Sequence, residues 1–384
     1  MVSGLLNLNL IFSLIFLSLC IRSSASNSSS LKGAFIIFRH GHRAPYRSYP
    51  NDPHKDYPWE GGFGFLSQLG VRQVFELGVR FRARYQTLMP KDQVYGRSPV
   101  RIRSSAETRC LMSAQSFMAG FLPPPKKWVL PIRWQPAVIE SVPKPQDSAI
   151  AQEKYCSKYN MTIVERTNLD NQEIMDFMGP KFYLFSYISE HMGMRITLLH
   201  DIVRLVDTLQ QESKVGLQIP SWALDLYNDT LIPLDLLSHH LTYQTKLSYV
   251  RAGSLLNEIM KYLDNFSKPS TNKRRISIMS GHDLTVGSIA YLLGFNSQIP
   301  LLVDFACTLA IELYESPQLG DDYEIKFLFF RNHADDNPIQ IRIPECSSPC
   351  SIKTFRKIAE SKVVDDYDRV CNNYHENDVH FVNL

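Results

Sequence analysis

Three separate stretches of the sequence carry arginine, histidine and aspartate residues of the types needed for phosphoryl transfer. In chain order these residues are Arg39, His40, Arg43, Arg103, His282 and Asp283. One guanidinium group can bind two phosphate oxygens at once, and it stays charged at any relevant pH. A neutral imidazole can attack phosphorus, and a carboxylic acid can protonate a leaving alcohol. Together, these groups would stabilise a phosphoryl displacement without requiring a metal ion.

Each of these stretches follows a segment with the pattern of a buried β-strand. The predicted strands cover 32–38, 100–103 and 275–279. Because ligands of open α/β sheets bind at the carboxyl ends of strands, we expect the three stretches to meet there. The first, Arg-His-Gly-x-Arg-x-Pro at 39–45, would arise by chance in roughly one such chain in 10⁴. Its glycine, Gly41, permits close approach of another backbone segment.

Other segments predict the elements that would position this site. Apolar residues at helical spacing indicate helices over 66–85, 106–119, 196–209 and 285–293, and a closing pair of strands is expected at 301–314 and 323–330. The predicted fold is α/β: an open mixed, mostly parallel sheet with helices on both faces. Few strand signals occur over 126–270, which we interpret as a mostly α-helical inserted cap.

Composition restricts the class of protein. The chain has 384 residues, with 41 Lys+Arg and 38 Asp+Glu, and a net charge of +3. Hydrophobic residues make up 44% and charged residues 21%, as in ordinary globular proteins, which excludes a disordered or collagen-like chain. The near-neutral balance argues against a nucleic-acid partner.

The N-terminus predicts export. A mostly apolar run at 5–21 precedes Ser23-Ser24-Ala25, which indicates a signal peptide at 1–25 and a catalytic domain at 26–384; a membrane anchor is the alternative. No later apolar run reaches spanning length, so we expect no stable membrane anchor. The glycosylation acceptors are Asn27, Asn160, Asn228 and Asn265.

Six cysteines remain after the signal segment. Cys346 and Cys350 flank a tight turn that a disulfide could close, and no second ligand pair supports a zinc site instead. The spacing of the other four, Cys110, Cys156, Cys307 and Cys371, leaves three pairings open.

The sequence resembles the histidine acid phosphatases, in the branch that contains prostatic, lysosomal and insect venom acid phosphatases. The resemblance rests on the motif at 39–45, on a central arginine segment at 102–105 and 109–114, and on Gly281-His282-Asp283, all in family order. It spans essentially the whole mature chain. Among these motifs, Arg-His-Gly alone would not separate phosphatases from phosphoglycerate mutases.

The resemblance implies a role for each site residue. His40 would attack phosphorus to form a phosphohistidine, and Asp283 would protonate the leaving alcohol. The phosphate oxygens would be held by Arg39, Arg43, Arg103 and His282. No metal or other cofactor is expected, and activity should favour acidic pH because the donor must be protonated. We expect Arg109 to pair with Glu107 or with the sheet rather than to act in the site. Arg101 could bind the phosphate, but we expect it to face solvent, and we expect no catalytic part for His42.

The same resemblance implies the remaining properties. Cys156 would pair with Cys371 and Cys346 with Cys350, which leaves Cys110 and Cys307 either free and buried or joined unusually. The partner would be a small phosphomonoester, and homodimers are common in this branch. The expected function is that of a secreted acid phosphatase, with the lysosomal lumen as the alternative location. A narrower phytase or lysophospholipid phosphatase is the alternative activity, and an inactive secreted binding or venom protein is a further one.

Overall fold

The structure, a computed structural model, describes residues 30–89, 99–152, 154–267 and 275–373. The predicted signal peptide and Asn27 therefore lie outside the described residues. The strands are β1 (Ser30–Arg39), β2 (Val100–Ser105), β3 (Ile139–Val142), β4 (Ile276–Gly281), β5 (Thr308–Glu315), β6 (Tyr323–Phe330) and β7 (Ile339–Ile341). They form one sheet in the order β3-β2-β4-β1-β5-β6-β7.

Twelve α-helices accompany the sheet within the described ranges. They are α1 (Gln68–Arg84), α2 (Thr108–Phe121), α3 (Ser157–Thr167), α4 (Gln172–Met178), α5 (Leu184–Met192), α6 (Leu199–Lys214), α7 (Ser221–Leu224), α8 (Ile232–Tyr243), α9 (Thr245–Ser267), α10 (Asp283–Leu292), α11 (Ile352–Glu360) and α12 (Tyr367–Asn373). The prediction of an α/β fold with a mixed sheet is confirmed.

Parallel and antiparallel pairing divide the sheet into two halves. Strands β3, β2, β4 and β1 run parallel to one another, whereas β5, β6 and β7 are joined antiparallel beyond β1. The central strand β1 is buried from Gly33 to Phe38, which explains its continuous apolar run. The shorter strand β7 and the helices α11 and α12 have no counterpart in the sequence prediction.

Helices cover both faces of the sheet, because alternate residues of β1 point to opposite sides. Phe35 and Ile37 pack with residues of α9 and α10, such as Leu255 and Ile289. On the other face, Ala34, Ile36 and Phe38 pack with α1 and α2. The predicted arrangement, with helices on both faces of the sheet, is therefore confirmed.

The helices from α4 to α8 form a separate cap with its own apolar core, which includes Ile188, Leu205 and Leu241. The prediction placed a helical insertion at 126–270, but β3 joins the main sheet and α9 packs on its core. The helices that stand apart from the sheet therefore fall within 157–243.

The cysteine pairings implied by the family resemblance are confirmed. A disulfide joins Cys156 to Cys371, with their Cα atoms 5.5 Å apart, and ties the start of α3 to α12. A second joins Cys346 to Cys350. Of the two alternatives for Cys110 and Cys307, the structure has both free and buried.

The surface features bear on the predicted export without testing it. Three of the predicted glycosylation acceptors, Asn160, Asn228 and Asn265, are exposed. None of the described helices is both long enough and apolar enough to cross a bilayer.

Candidate active site

The carboxyl ends of three strands bring the predicted stretches together. Arg39 pairs with Gly281 across β1 and β4, and Ser104 pairs with Ser280 across β2 and β4. The first residue after β1, His40, donates its backbone N–H to the carbonyl of Gly281 over 3.0 Å. The expected convergence at one edge of the sheet is therefore present.

His40 lies at this end of the sheet and is buried, with only 1% of its surface exposed. Its Nδ1 lies 2.8 Å from the carbonyl oxygen of Gly41. Because a carbonyl can only accept, Nδ1 carries the proton and Nε2 presents a lone pair. Burial lowers the pKa of His40 well below its ordinary value, and the positive charges of Arg109 and Arg39 lower it further. The imidazole is therefore neutral, and its Nε2 carries the lone pair that a nucleophile needs.

Arg109 is the residue whose part in the site the sequence analysis missed. The expected ion pair with Glu107 exists, over 2.8 Å. The same guanidinium also donates from Nε to Nε2 of His40 over 3.1 Å, and from Nη2 to the hydroxyl of Tyr46 over 2.9 Å. Its Nη2 lies 3.3 Å from Nδ1 of His282. Arg109 therefore links the nucleophile candidate to the other site histidine.

Arg103, by contrast, does not take the position that the sequence analysis gave it. Its Nη2 donates to the fully buried carboxylate of Asp147 over 3.0 Å, and its Nη1 lies 4.0 Å from Glu258. Arg103 lies within β2, two residues before its end, whereas Arg109 lies in the first turn of α2. Phosphate binding by Arg103 therefore stays a prediction, whereas the structure shows Arg103 paired with Asp147 and brings Arg109 to His40. Arg101 also differs from expectation, because it pairs with Glu140 and Glu258.

A chain of hydrogen bonds runs from Asp147 to the backbone of His282. Asp147 accepts from the backbone N–H groups of residues 149, 150 and 151. The carbonyl of Ile150 accepts from the hydroxyl of Thr285, which in turn accepts from the backbone N–H of His282. Arg103, through its contact with Asp147, therefore stands at the start of a series of hydrogen bonds that ends at the backbone of His282.

His282 is buried, and its tautomer follows from its contacts. Since Arg109 donates to Nδ1, the proton of the neutral ring is on Nε2, which lies 3.0 Å from the hydroxyl of Ser105. Burial lowers the pKa of His282 to about 3, and the charge of Arg109 contributes. The free thiol of Cys110 lies 3.6 Å from the same Nε2.

Arg39 and Asp283 form an ion pair at the mouth of the site. Nη2 of Arg39 lies 2.8 Å from Oδ2 of Asp283, whose side chain is 32% exposed. Burial alone would raise the pKa of Asp283, but the positive charge of Arg39 is the main effect that holds it well below its usual range. In the site without substrate, Asp283 is therefore a carboxylate.

Arg43 is buried and held by the cap. It forms a two-pronged contact with Asp207 of α6, with both N···O distances 3.0 Å, and lies over the ring of Tyr46 at 3.8 Å. Asp207 is 164 residues away in sequence. No local signal in the sequence points to this partner.

The loop before β5 contacts the motif at 39–45 through backbone groups. The sequence predicted a strand from 301, but β5 begins at Thr308. The carbonyl of Val303 accepts from Nη1 of Arg39, and the backbone N–H of Ala306 donates to the carbonyl of His40. Phe305 lies between these two residues in the chain, and the centroid of its ring is 4.2 Å from the guanidinium carbon of Arg39. Ala306 has φ of 55°, a left-handed conformation that non-glycine residues rarely adopt.

Close backbone packing fixes the motif from the other side. A Cβ on Gly41 would lie 2.4 Å from the carbonyl oxygen of Gly70 in α1, so the role assigned to this glycine is supported. His42 is buried beside it and bonds Ser67 through Nδ1 over 2.7 Å. His42 therefore anchors the loop to the start of α1.

A sequence model of the histidine phosphatase superfamily (branch 2) matches residues 30–330 of the chain. The chain belongs to this family. The expectation that this histidine phosphatase is a phosphomonoester hydrolase is thereby confirmed.

Two relatives cover most of this histidine phosphatase. Prostatic acid phosphatase of Bos taurus is 28% identical over 356 residues, which are 90% of this chain and 88% of that protein. Lysosomal acid phosphatase of Xenopus laevis is 26% identical over 358 residues, 90% of this chain and 80% of that protein. Both carry names that match the resemblance seen in the sequence.

Solved structures show the same fold. A phytase from Citrobacter braakii superposes with a TM-score of 0.64 at 16% identity, over 87% of this chain and 98% of that chain. A phytase from Hafnia alvei in complex with tartrate also has a TM-score of 0.64, at 17% identity, over 89% of this chain and 99% of that chain. At such low identity the likeness shows the fold alone.

Proposed function

We propose that this histidine phosphatase is a secreted acid phosphatase that hydrolyses phosphate monoesters through a phosphohistidine on His40. The observation that carries the proposal is the state of the imidazole. Its Nε2 holds a lone pair, and Arg39, Arg43 and Arg109 surround it closely enough to lower its pKa. A neutral nucleophile inside a ring of fixed cations is suited to a phosphate dianion.

The first half-reaction follows from these positions. Arg39, Arg43 and Arg109 hold the phosphate oxygens, and His282 lies beside them. The lone pair of Nε2 on His40 forms the N–P bond while the bond from phosphorus to the ester oxygen breaks. Asp283 gives its proton to that oxygen, so the alcohol leaves neutral. The fixed guanidinium groups stabilise the charge that develops on the phosphoryl oxygens.

The second half-reaction returns the enzyme to its initial state. Water attacks phosphorus, the N–P bond breaks, and the electron pair returns to Nε2 of His40. Asp283 accepts the proton that the water loses. Inorganic phosphate then leaves, and Arg109 regains its contact with Nε2.

Substrate binding has to change the protonation of Asp283. Without substrate, Arg39 keeps this carboxyl ionised. A phosphate dianion beside it adds like charge and occupies the guanidinium of Arg39, and both effects raise the pKa of Asp283. Acidic pH favours the protonated donor further, which accounts for an acid phosphatase rather than an alkaline one.

Secretion is supported by independent features. The apolar N-terminal run ends in small residues, and the two disulfides suit an oxidising compartment. The lysosomal lumen is the alternative location. Expression in secreting cells, followed by N-terminal sequencing of protein from the medium, tests the expected cleavage after Ala25. Retention of the mature chain inside the cell would contradict secretion.

The activity is tested with p-nitrophenyl phosphate near pH 5 in the presence of a chelator. Wild-type protein is expected to turn over and, after an alkaline quench with radiolabelled substrate, to carry label on His40, because the N–P bond of a phosphohistidine survives in base and hydrolyses in acid. His40→Ala should lose both turnover and label. The exposed histidine variant His240→Ala is the matched control and should keep both. Turnover by His40→Ala, or label on a different residue, would refute the proposed mechanism.

A further inference from the structure

The cap helix α6 carries a polar stripe that faces the catalytic motif. Positions 200, 204, 207, 211 and 214 recur every three or four residues, which places them on one side of a helix. Asp207 in this stripe binds Arg43, so the contact fixes which way the stripe points. The opposite side of α6, with Leu205 and Leu209, is buried in the cap core.

Lys214 is the last residue of this stripe. It lies two helical turns after Asp207, about 10 Å along the helix axis. Its Nζ is 4.5 Å from the centroid of the Phe305 ring. The same ring contacts the guanidinium of Arg39 at 4.2 Å and lies 5.7 Å from the imidazole of His40. Lys214 therefore stands on the wall of the site.

One aromatic ring separates Lys214 from the ion pair that contains the proposed proton donor. In the proposed reaction Asp283 protonates the leaving oxygen, and Arg39 holds Asp283 at 2.8 Å. Arg39 and Lys214 share the ring of Phe305. Lys214 therefore lies next to the pair that holds the proposed proton donor.

The ammonium group of Lys214 is available to a ligand. Its nearest carboxylate is Asp304, at 4.0 Å, and the side chains are 42% and 62% exposed. An ion pair this long and this exposed contributes little. Burial lowers the pKa of Lys214, and the positive charges of Arg39 and Arg43 lower it further. The carboxylates of Asp304 and Asp207 raise it in part. An anion placed near Lys214 would therefore relieve repulsion among these cations.

We propose that Lys214 is a specificity-determining residue that binds a second anionic group carried by the leaving group of the substrate. This inference rests on the proposed phosphatase function and names a preference within it. The preferred substrates are phosphate monoesters whose alcohol bears another phosphate or a carboxylate. Arg39, Arg43 and Arg109 bind the phosphate that is cleaved, and Lys214 binds the group that leaves.

The test compares fructose 1,6-bisphosphate with fructose 6-phosphate at pH 5, by release of inorganic phosphate. Two cleavable groups alone give a ratio of kcat/KM of about two. We expect the wild-type ratio of kcat/KM to be about five times larger than this value, because one added ion pair contributes an effect of that size. Lys214→Met should lower the ratio to about two. Added salt near 0.5 M should lower the wild-type ratio as well, because the pair is exposed.

Two further variants separate the local contact from net charge. Lys181→Met removes an exposed lysine elsewhere in the cap and should leave the ratio unchanged. Asp304→Asn removes the opposing carboxylate and should raise the ratio, which is a change that a misfolded protein would not give. An equal ratio in wild type and Lys214→Met, or the same fall in Lys181→Met, would overturn the proposal.

The outcomes also distinguish this proposal from the proposed function. A wild-type protein that hydrolyses none of these esters, including p-nitrophenyl phosphate, would refute the phosphatase assignment. A wild-type protein that hydrolyses p-nitrophenyl phosphate and both sugar phosphates, with a ratio near two, would refute only the role of Lys214.

Discussion

Arg109 donates a hydrogen bond from its Nε to Nε2 of His40 over 3.1 Å. This nitrogen is the atom that attacks phosphorus in the proposed reaction. Before substrate binds, Arg109 therefore occupies the lone pair and keeps the ring in its reactive orientation. In the proposed reaction the guanidinium gives up this hydrogen bond and binds the phosphate oxygens, so that phosphorus can reach the lone pair. Arg109 also forms an ion pair with Glu107.

Arg109 and Arg103 offer a matched pair of variants, because they lie six residues apart and only one contacts His40. Arg109→Met is expected to lower kcat/KM for p-nitrophenyl phosphate by about 10²–10³, the cost of one donor to a developing negative charge. Arg103→Met should change kcat/KM less than about fivefold. It should instead lower the free energy of unfolding by about 2 kcal/mol, because Asp147 loses its charged partner but keeps its backbone donors.

Steady-state kinetics and denaturant unfolding measured on the same two preparations check this division of roles. A large loss of kcat/KM in Arg103→Met, with Arg109→Met little affected, would restore the sequence-based assignment.

The pH dependence of kcat/KM should reflect the environment of His40. Its pKa is lowered first by burial and then by Arg109. Protonation removes the lone pair, so activity of the free enzyme is lost as the pH falls through this lowered pKa. The acidic limb should therefore lie well below pH 6.5, the ordinary pKa of histidine.

Arg109→Met removes one cause of the lowered pKa, so its acidic limb should move towards higher pH. Profiles of kcat/KM for wild type and variant, recorded in buffers of constant ionic strength, measure the shift. A limb that stays in place or moves to lower pH would show that Arg109 does not act on the protonation of His40.

The sequence predicted the parts of the site that are local and missed those that depend on distant packing. The motif at 39–45 follows a continuous apolar strand, so its place at the sheet edge could be inferred. Choosing between Arg103 and Arg109 required the end of β2 at Ser105 and the start of α2, and boundaries are the least certain part of sequence reasoning.

The partners of the motif were harder to find because they come from remote segments. Asp207 reaches Arg43 from the cap, and Phe305 reaches Arg39 from a loop that resembles part of a strand. Neither has a distinctive neighbourhood in the sequence. Their roles depend on how the cap and the loop before β5 pack over the sheet edge, which periodicity does not specify.

Stability should depend on pH through Glu212, a buried carboxyl in α6. Burial and the nearby Asp52 raise its pKa to about 8, from an ordinary value of 4.5. The folded state therefore binds this proton more tightly than the unfolded state. The stability that Glu212 contributes is fully present below about pH 4.5 and is lost as the pH rises through about 8.

Glu212→Gln keeps the shape of the protonated side chain and cannot ionise. It is expected to raise the Tm by about 3 °C at alkaline pH and to leave it unchanged at acidic pH. Thermal unfolding of wild type, Glu212→Gln and the exposed control Glu190→Gln over this range gives the comparison. A variant less stable than wild type at every pH would mean that Glu212 is ionised in the folded protein.

Asp283 is expected to matter most for substrates with poor leaving groups, because only these need a proton as the ester bond breaks. Asp283→Asn should lower kcat for an alkyl phosphate such as glycerol 2-phosphate by about 10²–10⁴. The loss for p-nitrophenyl phosphate should be about tenfold, since nitrophenolate leaves without protonation. The exposed control Asp225→Asn should leave both rates unchanged. The ratio of the two losses is the decisive measurement: if both esters slow by the same factor, Asp283 positions Arg39 through their ion pair and another group supplies the proton.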